Sequence, residues 1–187
     1  MHQLQRIYLT QPLDIDSELV VYKDVTNSCE RVASKVEYQR SVVQQIVTAY
    51  LGVKATIDHK ESGAPFLVEF PEKYISVSHS QDYYAIQFSN EKAVGIDIQI
   101  FKKNLAKGKD YFVNDWEAEN LEMTELNLHL IWSAKEAIYK QLSGDIEKYR
   151  EELVIKAIQP SSVEIEVGEK YYFFKSLIEL DFILVYS

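Results

Sequence analysis

Three strand-like runs, Tyr74–His79, Tyr83–Ser89 and Ala93–Ile100, follow one another with only a few residues between them. Parallel neighbours need a crossover of a dozen or more residues, so links this short predict an antiparallel meander. The third run is the most informative. Val94, Ile96, Ile98 and Ile100 point one way, and Gly95, Asp97 and Gln99 the other. Asp97 and Gln99 are then about 7 Å apart along one face. An aspartate inside a strand runs against propensity, so its position asks for a metal ion, a basic neighbour or a sheet edge.

The rest of the chain alternates strands with helices. Gln5–Thr10 and Leu19–Tyr22 read as short strands, the first ended by Pro12. Asn27 followed by Glu30 has the spacing of a capping box. From there Val32, Val36, Val43, Ile46, Val47 and Tyr50 recur at helical spacing as far as Gly52, a helix of about 24 residues. It carries Arg31, Lys35 and Arg40; Arg31 and Lys35 sit at i, i+4, where they either grip a phosphate or face water. Ala55–Lys60 is a strand, Glu61–Pro65 a turn and Tyr111–Leu121 a short helix. Val163–Val167, Tyr171–Glu179 and Phe182–Tyr186 are further strands. Both halves run as a helix followed by antiparallel strands, a hint of duplication, and the expected halves are residues 1–100 and 101–187.

A second helix, entered near Asn127 and ending near Gly144, contains Trp132-Ser133-Ala134-Lys135-Glu136-Ala137-Ile138-Tyr139-Lys140. At about 100° per residue, Lys135, Tyr139, Trp132, Glu136 and Lys140 fall in that order on an arc of roughly 140°. Ile131, Ile138, Leu142 and Ala134 fill the neighbouring arc. One face therefore suits a core, and the next sets a carboxylate between two ammonium groups. That combination suits a polyanionic ligand that brings a divalent cation. The plainer alternative is a surface helix with a Glu136–Lys140 pair worth a few tenths of a kcal/mol.

Composition narrows the function classes. The formal net charge of −9 argues against bulk binding to nucleic acid or an anionic membrane. Anionic ligands must instead meet local clusters such as Lys102, Lys103, Lys107 and Lys109, unless that run is simply a solvated loop. Cys29 is the only cysteine, so an internal disulfide is impossible. The opening residues MHQLQRIYLT have no signal-like apolar run, and no stretch approaches a membrane span, so the expected compartment is the cytoplasm.

Four features stand in one order: Gly63-Ala64-Pro65-Phe66, Ile75-Ser76-Val77-Ser78-His79-Ser80, Val94-Gly95-Ile96-Asp97-Ile98, and Trp132-Ser133-Ala134-Lys135-Glu136-Ala137 followed by Lys140. Over residues 60–145 the chain resembles the 4′-phosphopantetheinyl transferase superfamily, specifically its larger, surfactin-synthetase-activating type. The resemblance implies an α/β (α+β) fold of two similar halves related by a pseudo-two-fold axis, each an antiparallel sheet with a long helix. The active site would lie in the cleft between them. It implies transfer of the phosphopantetheine arm of coenzyme A to a serine of an apo acyl or peptidyl carrier protein, with Mg²⁺, releasing adenosine 3′,5′-bisphosphate. Carried over by residue, Asp97 and Glu136 would be the Mg²⁺ ligands, and Ser78, His79, Lys135 and Lys140 would contact the phosphates. Lys135 and Lys140 would stabilise charge on the leaving group, and Glu136, directly or through a metal-bound water, would take the serine proton.

The sequence departs from the family pattern at three places. Gln99 stands where the family has a second acidic residue, and would offer Mg²⁺ an uncharged oxygen. Ala64 stands at a position that is often basic. Gln44 lies where the first helix often carries an arginine, with Arg40 one turn earlier. These departures motivate an alternative, a non-catalytic member of the fold that binds coenzyme A or a carrier protein as a scaffold. A duplicated fold implies a monomer. Because carrier proteins of this kind are acidic, the lysines at 102–109 and apolar contacts are the expected docking features.

Overall fold

The computed structural model describes residues 2–9, 17–26 and 34–187, the side chains of Tyr8 and Leu9 excepted. The fold is mixed α/β with antiparallel sheets, and the chain divides into two compact units, Met1–Val94 and Gly95–Ser187.

In the first unit, strands β1 (Leu4–Leu9), β2 (Ser17–Asp24), β5 (Tyr74–Ser80) and β6 (Tyr83–Ser89) form one sheet in the order β1-β2-β6-β5. Two short strands, β3 (Ile57–His59) and β4 (Pro65–Leu67), pair separately around the Gly63 turn. Helix α1 (Lys35–Leu51) lays Tyr38, Val42, Val43, Ile46 and Val47 on Val20, Ile75, Ile86 and Phe88 of the sheet. It begins later than its apolar spacing predicts. Ser34 is the N-cap: Glu37 N–H donates to Ser34 Oγ (3.4 Å), and Ser34 N–H donates back to the Glu37 carboxylate (3.2 Å). Val36, expected in the core, is exposed. The expected capping pair Asn27 and Glu30, together with Arg31 and Val32, lies outside the described residues. Gly52 ends the helix as expected, at φ +69°.

The second unit has a five-stranded sheet in the order β7-β11-β10-β9-β8. The strands are β7 (Ile96–Ile100), β8 (Leu153–Gln159), β9 (Ser162–Val167), β10 (Lys170–Ile178) and β11 (Phe182–Tyr186). Between β7 and β8 come a 3-10 helix (Leu105–Tyr111) and the helices α2 (Asp115–Asn120), α3 (Glu125–Gln141) and α4 (Tyr149–Glu152). The Thr124 side chain caps α3 by accepting Asn127 N–H at 3.1 Å. The helix buries Leu128, Ile131, Ala134 and Ile138 against Ile155, Ile165, Phe174 and Val185.

The expected meander is corrected at its third strand. β5 and β6 pair as a hairpin, but β7 leaves their sheet and pairs with β11, from Ile96 opposite Tyr186 to Ile100 opposite Phe182. Locally, Ser89 Oγ accepts the N–H groups of Glu91 (3.2 Å) and Lys92 (3.3 Å), a side-chain turn that ends β6 without a hairpin return. Gly95 N–H then donates to Ser187 Oγ (3.0 Å) and Ser187 N–H to Gly95 O (3.1 Å), fixing β7 on the end of β11. The division therefore falls at Val94/Gly95, and the strand carrying Asp97 belongs wholly to the second unit.

Taken separately, the two units share one connection pattern. In each, a strand leads to a 17-residue helix and then, after other elements, to a hairpin whose last strand inserts beside the first: β2-β6-β5 in one, β7-β11-β10 in the other. Among the described residues no helix is long and apolar enough to cross a membrane.

Candidate functional site

Gly95, two residues before the strand aspartate, decides how closely β7 approaches α3. A Cβ at Gly95 would lie 2.0 Å from the backbone oxygen of Ala137 and 3.0 Å from Gln141 Cβ. Only glycine lets the start of β7 sit this close to the helix backbone. One result is that Lys140, on the last turn of α3, reaches across to the strand. Its ammonium donates to Ile96 O at 2.9 Å and to Asp97 Oδ1 at 2.8 Å. We expect Gly95→Ala to lower stability by about 3 kcal/mol, the upper end for overpacking, because the obstacle is backbone and cannot rotate away. A urea midpoint equal to that of the wild type would show that the strand and helix can separate freely.

Asp97 is thus compensated by a basic neighbour, one of the alternatives its sequence context left open. Its carboxylate is almost wholly buried, with a side-chain exposure of 4% against 27% for Lys140. Gln99 shares the α3 side of β7. Its amide oxygen is buried and has no hydrogen-bond partner among the described residues.

Glu136 lies one turn before Lys140 and is half-buried. Its Oε1 accepts the Tyr149 hydroxyl at 2.7 Å. Burial pushes the Tyr149 phenol well above its ordinary value, and the Glu136 carboxylate, followed by Asp97 and Glu117, pushes it further.

Lys135 requires a correction. It was expected on the phosphate-binding arc, but its side chain is fully buried. Its ammonium donates to Glu117 Oε2 (2.9 Å), Phe112 O (2.6 Å) and Arg150 O (3.4 Å). Lys135 stands at the end of the arc beside Ile131 and Leu142, and a carboxylate on α2 draws it inward. Glu117 is itself held on both oxygens: Asn114 N–H (2.8 Å) and Lys135 share Oε2, and Ile155 N–H donates to Oε1 (2.7 Å). Glu117 and Tyr149 are the two residues that motif reading missed. The Asn114-x-x-Glu117 capping box was a usable signal for Glu117. Tyr149 had none.

Ser78, His79, Lys35, Arg40 and Gln44 belong to the first unit, and the lysines at 102–109 to the second. Ser78 and His79 are neighbours on β5, so their side chains leave opposite faces of the strand: Ser78 is buried, and His79 is exposed with its ring 5.8 Å from that of Tyr84. Lys35 and Arg40 are exposed on α1, and Arg40 helps to hold the Glu37 carboxyl below its ordinary value, behind the hydrogen bonds from Ser34. Gln44 donates to Thr48 Oγ1 (3.3 Å) and to the Ala55 carbonyl, so it ties α1 to the segment leading into β3. Of the lysine cluster, Lys102, Lys103 and Lys107 are exposed and Lys109 is half-buried. The Lys102 N–H is anchored on the buried His129 Nε2 at 2.9 Å.

Among the described residues no three His, Cys, Asp or Glu side chains gather as a metal-ligating group. The available donors are two carboxylates and the orphaned Gln99 amide oxygen, all hard oxygens. Such a set fits Mg²⁺, which is commonly bound by one or two carboxylates together with water and substrate phosphates. No family model matches the chain, and no curated protein matches it either.

Proposed function

We propose that this chain transfers the 4′-phosphopantetheine arm of coenzyme A to a serine of an apo acyl or peptidyl carrier protein, in a Mg²⁺-dependent reaction. The observation that carries the proposal is the ion pair by which Lys140, on the last turn of α3, reaches Asp97 on β7, with Glu136 one turn earlier on the helix and Gln99 two residues further along the strand. The family motifs add the substrate class.

In the proposed step the carrier serine oxygen forms a new P–O bond to the phosphorus bearing the pantetheine arm. The bridging P–O bond of the pyrophosphate breaks, and adenosine 3′,5′-bisphosphate leaves. Glu136 takes the serine proton. Lys140 balances charge on the leaving oxygens. Asp97, Glu136 and Gln99 would hold Mg²⁺, which when bound supplies neutralisation of the pyrophosphate charge. Lys135, enclosed by Glu117 and two carbonyls, is moved from the phosphates to the scaffold. The assignments of Ser78, His79, Arg40 and Lys35 to coenzyme A rest on the resemblance. So does a two-fold relation between the halves, to which the shared strand–helix–hairpin order lends support.

The test is to incubate the protein with coenzyme A, Mg²⁺ and several apo carrier proteins and to weigh the carriers intact. A mass gain equal to one phosphopantetheine is the expected result. No gain on any carrier that a control transferase modifies would overturn the proposal. A second reading, a scaffold that binds coenzyme A or a carrier without turnover, is favoured by the loss of Lys135 from the ligand face and by the neutral Gln99. Calorimetric titration with coenzyme A, with and without Mg²⁺, separates the two: binding that requires Mg²⁺ supports the enzyme.

A further inference from the structure

We infer that Tyr149 is a positioning residue that fixes the Glu136 carboxylate for cation binding. The inference rests on the cation-binding half of the transferase proposal.

Glu136 sits on a helix surface, and without a partner its carboxylate would sample several rotamers. Tyr149 removes that freedom. Its hydroxyl donates to Oε1 at 2.7 Å, and its ring is set between the two aromatic side chains that flank Glu136 on α3. The Tyr149 ring centroid lies 6.4 Å from that of Trp132, one turn before Glu136, and 5.7 Å from that of Tyr139, one turn after, the latter edge-on at 62°. The backbone that carries the ring is also anchored. Arg150 O accepts from Lys135 Nζ (3.4 Å) and Asn114 Nδ2 (3.3 Å), and Arg150 Nε donates to Val113 O (2.7 Å). The buried Lys135–Glu117 network thus holds the segment that aims the phenol.

The phenol is the donor of this bond, since an ionised carboxylate can only accept. One carboxylate oxygen is thereby committed to orientation. Oε2, which carries no hydrogen bond among the described residues, is left to face a ligand. Hydrogen-bonded partners of this kind around metal-binding carboxylates typically change metal affinity or activity by roughly 10–100-fold when removed.

The test uses Tyr149→Phe in the full chain, which keeps the ring between Trp132 and Tyr139 and deletes only the hydroxyl. Mn²⁺ serves as the probe, titrated by electron paramagnetic resonance, with the metal-free unfolding midpoint measured alongside. We expect Mn²⁺ affinity to fall about tenfold while the midpoint stays close to that of the wild type. Unchanged Mn²⁺ affinity overturns the inference, and so does a lowered midpoint with unchanged affinity, which would make the hydroxyl merely structural. If the wild type binds no Mn²⁺, the inference and the cation site fall together. If the wild type binds Mn²⁺, Tyr149→Phe loses it and neither transfers phosphopantetheine, the positioning role stands and the transferase reading falls.

Discussion

Glu117→Ala is expected to destabilise the second unit by about 3–5 kcal/mol, and Lys135→Met by an amount near the lower end of that range. Both side chains are fully excluded from solvent and their charges meet at 2.9 Å. Deleting the carboxylate leaves a buried ammonium facing only the carbonyls of Phe112 and Arg150, and strips the acceptor from Asn114 N–H and Ile155 N–H. Deleting the ammonium is milder, because those two backbone donors still hold the carboxylate. The double variant Lys135→Met/Glu117→Gln should recover part of the loss, since no uncompensated charge remains. Urea unfolding followed by circular dichroism measures each; a change under about 1 kcal/mol in either single variant would mean that water reaches the pair. The pH dependence has a definite sign. Burial holds the Lys135 ammonium below the ordinary lysine value of 10.5, with Glu117 pulling it part-way back. The unfolded chain therefore binds this proton more tightly than the folded one. The wild type should gain stability relative to Lys135→Met as the pH rises from the depressed value toward 10.5.

That network marks where sequence patterns stop carrying information. Sequence pattern located β5, β6, β9, β10 and β11 because each is a short run rich in β-branched, aromatic or other apolar residues, alternating in β5 and β9 and continuous in β11, and bounded by turn residues. It located α3 because its apolar stripe is wide and uninterrupted. It missed β8, whose pairing with β9 slips between Ile155 and Ala157, so the period of two breaks mid-strand. It mispaired β7 because link length reports only what a neighbouring strand permits. The actual partner, β11, lies more than 80 residues on and sets Tyr186 opposite Ile96 and Leu184 opposite Ile98. It started α1 too early because Asn27-x-x-Glu30 and Ser34-x-x-Glu37 satisfy the same capping rule, and nothing local ranks them. At the candidate site, the need of Asp97 for a compensating neighbour was readable from its place inside a strand, and Lys140 supplies it. Two features were not: Lys135 turns inward on account of an acid 18 residues away, and Tyr149 arrives from a later helix.

The spacing of charges on β7 and α3 leads to the largest expected effect on turnover. Glu136→Gln should reduce carrier modification by roughly 100-fold or more, because one substitution removes both the proposed proton acceptor and half of the negative charge offered to the cation. Gln99→Ala should reduce it by less than about tenfold, since a neutral amide oxygen binds a cation more weakly than a charged one. The contrast is stringent because Glu136→Gln is nearly isosteric: it keeps the length of the side chain and an acceptor for the Tyr149 hydroxyl, yet lacks the charge. A fall caused by lost geometry would spare Glu136→Gln; a fall caused by lost charge would not. Rates of carrier mass gain at saturating coenzyme A and Mg²⁺ give the ranking directly. Should Gln99→Ala prove the more damaging, the cation would have to lie nearer the strand than the helix. Asp97, already paired with Lys140 at 2.8 Å, would then be its principal anchor.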